Sequence, residues 1–108
     1  MNQPEMFLPF PEYENYYVSN KGNVYKRDVN VDRNNPYLFK RVSIYYYDSG
    51  LNKYAYFTTY SDGKDKRHSL SRVVAQLFLN TPKNVSKVIH IDGDNYNSCV
   101  ENLKWKIK

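Results

Sequence analysis

The sequence is poor in cysteine and in long apolar runs, and each scarcity excludes a class of protein. Cys99 is the single cysteine, so an internal disulfide and a cysteine-paired zinc site are both excluded. No apolar run approaches the roughly 20 residues of a membrane-spanning helix. The N-terminus has no basic segment followed by an apolar one, so no secretion signal is predicted. We therefore expect a reduced, cytoplasmic compartment and no membrane partner.

Basic residues outnumber acidic ones, which favours a polyanionic partner. Sixteen Lys and Arg against eleven Asp and Glu give a net charge of +5, although many basic proteins bind no nucleic acid. Tyrosine occurs twelve times, and its ring suits strands, protein interfaces and stacking on bases. AT-rich coding explains the tyrosine count equally well. The 108 residues suffice for one compact domain and are too few for two independent cores.

Alternation of residues predicts strands in the first part of the chain. Strands at 16–19 and 24–27 flank a turn in which Gly22 supplies a positive φ. A longer strand is predicted at 37–47 and another at 54–60, because side chains alternate in character along both segments. Together these segments predict a small antiparallel sheet.

One helix and one hairpin are predicted in the remaining part. Residues 65–70 lead into a helix at 72–79, with Ser71 as its N-cap. Strands at 88–91 and 103–107 then pair around a long polar turn. The predicted fold class is α+β, with a small antiparallel sheet, one central helix and a C-terminal β-hairpin.

The final hairpin brings a histidine close to an asparagine. His90 ends the first strand and Asn102 begins the second, so antiparallel pairing places the two side chains together. A histidine that is held by an asparagine is able to act as an oriented general base. A buried histidine with a satisfied hydrogen bond is the other interpretation, and for a lone histidine it is the commoner one.

The wider spacing resembles the core of HNH endonucleases, the ββα-metal nucleases of phages and intron homing enzymes. The residues that carry this resemblance are His90, Asp92, Gly93, Asn97, Glu101, Asn102, Leu103 and Trp105. The segment 71–79 resembles the helix that precedes the hairpin in that family, with Ser71 where the family often has histidine. Residues 13–26 resemble the NUMOD4 module that is often found ahead of HNH domains.

The resemblance implies one domain at 1–108, with a NUMOD4-like β region at 13–60 and an HNH-like helix and hairpin at 68–108. It implies that this hairpin belongs to a ββα-metal motif. Because the chain ends at Lys108, the last helix of that motif and its metal ligand are expected to be absent.

The resemblance also implies roles for individual residues. His90 stands at the family's general base and Asn102 at the asparagine that orients it. Position 89 is Ile, where the family usually has an Asp or Asn that binds the cation. Asp92 lies two residues beyond His90 and is the remaining candidate metal ligand, since carboxylate oxygens suit Mg²⁺.

Three functions stay open. The first is a DNA-binding protein in which metal-dependent phosphodiester hydrolysis is impaired or lost. The second is an active Mg²⁺-dependent DNA-nicking enzyme, and Mg²⁺ is the expected cofactor only in that case. The third is a protein-interaction module, such as a viral structural component or an inhibitor of a host enzyme. Duplex DNA is the expected partner in the first two cases, in the host cell cytoplasm if the protein is viral.

A nucleic-acid interface is expected where basic side chains cluster. The candidate residues are Lys21, Lys26, Arg27, Lys66, Arg67, Arg72, Lys87, Lys104 and Lys106. Lys104, Lys106 and Lys108 recur at every second position of the last strand and so occupy one face. That face is either a surface that contacts phosphates or a solvated edge protected against aggregation.

Overall fold

The computed structural model describes residues 4–27 and 39–107, in which nine strands and one α-helix share an apolar core. The first sheet has four antiparallel strands in chain order: β1 (Phe7–Pro9), β2 (Tyr16–Ser19), β3 (Val24–Arg27) and β4 (Phe39–Arg41). The second sheet has three: β5 (Tyr45–Asp48), β6 (Lys53–Ser61) and β7 (Lys64–Ser69).

Helix α1 (Leu70–Phe78) follows β7 without an intervening loop and leads to the final hairpin. The hairpin consists of β8 (Val85–His90) and β9 (Leu103–Ile107), and a 3-10 turn (Val100–Asn102) lies just before β9. The predicted α+β class, its central helix and its closing hairpin are confirmed. The predicted single N-terminal sheet is two sheets.

The core lies between α1 and the two larger sheets. Four core side chains are completely buried: Val74 of α1, Phe57 of β6, and Val18 and Val24 of the β2–β3 hairpin, called here the first hairpin. Burial of such a side chain contributes about 1.5–3 kcal/mol, so these contacts stabilise a helix too short to persist alone. The opposite side of α1 is exposed at Gln76, as its amphipathic sequence requires.

The turn of the first hairpin packs against the segment that precedes β9. Gly22 has φ +82°, as the sequence predicted, and a Cβ at this position would lie 3.3 Å from Cβ of Ser98. The backbone N–H of Val100 donates to the carbonyl oxygen of Asn20 at 2.8 Å. Glycine is therefore needed at position 22 both for its backbone conformation and for this close approach.

The single strand predicted at 37–47 is wrong. Residues 37 and 38 lie outside the described residues, and the rest divides between β4 and β5, which belong to different sheets. Between the two strands, the N–H of Val42 donates to the carbonyl oxygen of Val24 at 2.9 Å, and Ile44 packs against the core. Alternation continues across this break, so periodicity could not reveal the change of sheet.

The predicted start of the helix is also wrong. The segment expected to lead into the helix is strand β7, which pairs with β6 as far as Ser69 opposite Tyr56. Ser69 is the N-cap residue, although its side chain makes no capping hydrogen bond. Ser71 therefore lies inside the first turn, where it is 4% exposed and free to bind another element.

Candidate functional site

A hydrogen-bond network connects the end of β8 to α1 and to the loop before β9. Nε2 of His90 lies 2.7 Å from Oγ of Ser71, which in turn lies 2.8 Å from Oγ of Ser98. Both serines are buried, and His90 is half-buried. The Ser71 hydroxyl accepts from a protonated Nε2 or donates to an unprotonated one, so it fixes the ring orientation in either case.

The environment of His90 favours the neutral imidazole. Burial lowers its pKa below the ordinary value, and the negative charges of Asp92 and Asp94 oppose this shift. Nδ1 of His90 accepts no hydrogen bond from any residue of 4–27 and 39–107. A neutral ring with one nitrogen held and the other open is able to accept a proton from water.

Asn102 binds the loop instead of His90. Its Oδ1 accepts from the N–H of Asp92 at 2.9 Å, and its Nδ2 donates to Oδ1 of Asp92 at 2.9 Å and to the carbonyl of Asn97 at 3.1 Å. Within the described ranges no hydrogen bond joins it to His90, so the predicted contact is wrong. His90 pairs with Leu103 in the ladder, and Asn102 lies one residue before β9, beside the loop.

Ser71 and Ser98 are the functional candidates that the sequence analysis missed. The sequence predicts Ser71 as a helix cap, although this residue stands where HNH-like helices often have histidine. That departure was the available signal, because a side chain at this position of the helix lies next to the hairpin histidine. Ser98 carried no signal, since its contact with Ser71 joins residues 27 positions apart.

Asp92 closes the loop between β8 and the 3-10 turn. Its Oδ1 accepts from the N–H of Asp94 at 2.8 Å and from Nδ2 of Asn102, and its Oδ2 accepts from Nδ2 of Asn97 at 2.9 Å. These bonds, that of Asn97 foremost, lower the pKa of the Asp92 carboxyl and keep it ionised. The neighbouring Gly93 has φ +80°, which completes the tight turn.

The described residues do not fit a divalent cation. No three His, Cys, Asp or Glu side chains converge anywhere in the part of the chain that the structure describes. Ile89 offers no ligand atom and pairs with Lys104, which places a positive charge beside it. Mg²⁺ prefers several oxygen ligands, and the Asp92 carboxylate already accepts three hydrogen bonds. A cation at this loop would therefore take most of its ligands from water and substrate oxygens.

Several predicted interface cations lie against other side chains. Lys21 pairs with Glu101, with Nζ to Oε1 at 3.5 Å. Three others lie over aromatic rings, which leaves their charge unneutralised. Measured from cation to ring centre, they are Lys26 on Tyr16 at 5.3 Å, Arg67 on Tyr56 at 4.1 Å and Arg72 on Trp105 at 5.6 Å. Lys66, Arg67 and Arg72 line a shared cavity of about 290 Å³, whereas Arg27 lies on β3 opposite Phe39.

Three exposed lysines form one side of the final hairpin, called here the outer lysine face: Lys87, Lys104 and Lys106. Lys87 lies directly opposite Lys106, and Lys104 lies two residues before Lys106 on β9. None of the three has an ion-pair partner among residues 4–27 and 39–107. The predicted shared face is confirmed for Lys104 and Lys106, whereas Lys108 lies outside the described residues. Because neighbouring strand positions alternate, His90 lies on the other face.

Two curated relatives and one solved structure match this chain, whereas no protein-family model does. The relatives are uncharacterized HNH endonucleases of Acanthamoeba polyphaga mimivirus. One is 32% identical over 103 residues, and the other is 26% identical over 98 residues. Each alignment covers 91% of this chain, with 22% and 26% of the respective relative. The matching solved structure is that of the HNH homing endonuclease I-HmuI, and its description is of DNA binding and cleavage.

The chain resembles I-HmuI with a TM-score of 0.74 and 25% identity, over 94% of this chain and 52% of that one. It spans about a quarter or less of the viral relatives' length. Sequence and fold are therefore HNH endonuclease-like, as the motif predicted. No helix within the described ranges is both long enough and apolar enough to span a bilayer.

Proposed function

We propose that this chain binds duplex DNA through an HNH endonuclease-like fold in which metal-dependent hydrolysis is impaired or lost. The Asp92 carboxylate supports the loss of hydrolysis. It already accepts three hydrogen bonds that hold the loop beside His90, so its oxygens serve the fold of the loop. Ile89 occupies the position where a further ligand is expected from the resemblance. The likeness to I-HmuI, for which DNA binding and cleavage are described, supports DNA as the partner.

The proposed phosphate contacts come first from the outer lysine face. Like charges directly opposite each other on a hairpin destabilise it, and a polyanion would relieve the repulsion between Lys87 and Lys106. Lys66, Arg67 and Arg72 would supply a second group around their shared cavity. The remaining candidates lie at the first hairpin: Lys21, Lys26 and Arg27. Binding through such contacts weakens steeply with salt, because the release of counterions becomes less favourable as the salt concentration rises.

We also propose that the regions 13–60 and 68–108 form one folding unit. The turn at Gly22 packs on Ser98, and Asn20 accepts a backbone hydrogen bond from Val100. In this arrangement the NUMOD4-like region supports the loop that holds Ser71 and, through it, His90. The unit therefore presents a histidine whose position depends on both halves of the chain.

An active nicking enzyme is the second candidate, and the state of His90 favours it. The neutral ring is held through Nε2 and open at Nδ1, which suits a general base that takes a proton from the attacking water. Under this alternative, stabilisation of the leaving oxygen comes from groups outside the described residues.

Two measurements on the same protein decide between these functions. The first is duplex binding by anisotropy from low to moderate salt, and the second is nicking of supercoiled plasmid with Mg²⁺ or Mn²⁺. Salt-sensitive binding without nicking is the expected result. Nicking by the wild type that disappears in His90→Ala would establish the active enzyme instead. Failure to bind duplex at low salt would reject both functions.

A further inference from the structure

An aromatic cleft lies on the side of the first sheet that is turned away from the core. It has a volume of about 350 Å³ and is lined by Glu5, Phe7, Tyr17, Tyr25 and Phe39. The rings form two nearly perpendicular pairs. Phe7 and Tyr25 are 5.3 Å apart at 76°, and Tyr17 and Phe39 are 5.5 Å apart at 79°. The cleft therefore offers flat apolar walls in two orientations.

The strand register explains why these rings collect on one face. Tyr17 lies opposite Tyr25, whereas Val18 and Val24 point into the core from the other side of the same strands. Phe7 and Phe39 keep 41% and 44% of their surface exposed. Aromatic rings left open on a sheet are a surface on which nucleic-acid bases stack.

Glu5 provides one polar group at this cleft. Its Oε2 accepts hydrogen bonds from Oγ of Ser19 at 2.8 Å and from Nδ2 of Asn23, whereas Oε1 accepts none from the described residues. The bonds from Asn23 and Ser19 lower the pKa of Glu5, so the group is a carboxylate. An ionised carboxylate only accepts hydrogen bonds, so it selects a ligand that presents N–H donors.

The charges around the cleft bear on whether it suits an alkylammonium ligand or a nucleotide. Arg41 lies opposite Tyr25 on the same face, and its Nη2 donates to the neutral Oδ1 of Asn23 at 3.1 Å. Arg41 lines the neighbouring cavity, and its positive charge offsets the attraction of Glu5 for an alkylammonium group and attracts a phosphate. A ligand that complements these groups would have a flat ring, N–H donors and a nearby negative charge.

We propose that this cleft binds an unpaired guanine of single-stranded DNA. The base stacks on the rings, its N1–H and N2–H donate to Oε1 of Glu5, and a flanking phosphate lies near Arg41. Guanine presents two adjacent N–H donors to one carboxylate, whereas thymine presents a single N–H. This proposal rests on the proposed function only in taking DNA as the partner.

The test compares two fluorescein-labelled ten-base single strands by anisotropy, one of thymine alone and one with guanines at its centre. We expect the wild type to bind the guanine strand at least about fivefold more tightly. Phe39→Ala should weaken both strands by about fivefold or more, as loss of one stacking platform does. Glu5→Gln should abolish the preference for guanine, because a neutral amide no longer offers a carboxylate to two N–H donors.

Tyr60→Ala is the matched control, because Tyr60 is 61% exposed on the second sheet and does not line the cleft. Thermal melts establish that each variant is folded. Duplex binding that persists without any guanine preference overturns the cleft and leaves the proposed function intact. Loss of duplex binding in the wild type overturns the proposed function by itself. Displacement of the strand by tetramethylammonium and not by dGMP overturns the cleft in favour of a cation site.

Discussion

Ser71 of α1 holds His90 of β8 through a contact of 2.7 Å between Oγ and Nε2. Ser98 then holds Ser71 at 2.8 Å, so two buried hydroxyls stand behind one half-buried imidazole. The orientation of the histidine consequently depends on the packing of the helix against the hairpin. Asn102, which the motif suggests for this role, stabilises the neighbouring loop instead.

Replacement of Ser71 by alanine should lower the free energy of unfolding by about 1–3 kcal/mol. The change leaves Nε2 of His90 and Oγ of Ser98 without their shared partner in a buried place. Urea unfolding measures the loss, and ¹⁵N shifts of the His90 ring should change with it. Ser69→Ala is the matched control, since the Ser69 side chain makes no capping bond. Equal stability of the two variants would contradict the network.

Asn102→Ala should destabilise the protein by about 1–3 kcal/mol, because it removes three hydrogen bonds made by a buried side chain. Asn95→Ala in the same loop is the control, because Asn95 is exposed. Chemical denaturation compares the two variants. If Asn102 served to orient His90, its replacement would change the His90 ring shifts while stability remained close to that of the control.

Gly22→Ala should be more destabilising than Gly50→Ala. Both glycines have positive φ, +82° and +87°, so alanine pays a similar backbone penalty of about 1–2 kcal/mol at each. At Gly22 the new methyl also meets Ser98 at 3.3 Å, whereas nothing lies within 4 Å at Gly50. The difference between their melting temperatures isolates the packing contribution. Identical losses would show that the first hairpin does not press on Ser98.

Stability should fall as the pH drops below about 6.5, the ordinary value for histidine. Burial, aided by the charge of Lys66, lowers the pKa of His68, so the unfolded chain takes up a proton before the folded one does. The free energy of unfolding therefore decreases through this range and levels off below the folded-state pKa. His90 contributes with the same sign.

Thermal melts at pH 7.5 and pH 5 measure this dependence. His68→Gln keeps an amide near Oγ1 of Thr59, which lies 2.8 Å from the histidine ring, and removes the titration. We expect a smaller difference between the two melting temperatures in this variant. A wild-type pH dependence that persists unchanged in His68→Gln would contradict the assignment.

Replacement of Lys104 and Lys106 by glutamine should flatten the salt dependence of duplex binding. Each phosphate contact contributes about 0.9 to the slope of log affinity against log salt, so the double variant should lose about 1.8. Lys53→Gln is the control, since Lys53 lies 3.9 Å from Asp48 on the second sheet. An unchanged slope would show that the outer lysine face is a solvated edge.

Sequence patterns predicted the elements that are determined by neighbouring residues. The first hairpin follows from its alternation and from Gly22, and both strands have the predicted bounds. The histidine at the end of β8 follows from the motif. Those signals come from residues within a few positions of one another, so they are visible without the fold.

The missed features depend on contacts that are distant in sequence. The contact of Ser71 with His90 spans 19 residues, and the helix starts early because β7 pairs with β6. The break between β4 and β5 has a similar origin, since Val42 bonds to Val24 across the first sheet. Neighbouring residues do not determine these features, because each depends on a contact with a segment that is distant in the sequence.

The close contact between Gly22 and Ser98 limits which segments of this chain could be moved into another protein with their structure intact. A recombination event that moved only the histidine-bearing hairpin would leave its supporting turn behind. A transplanted hairpin would need the turn at Gly22 beside it for Ser98 and Val100 to keep these contacts.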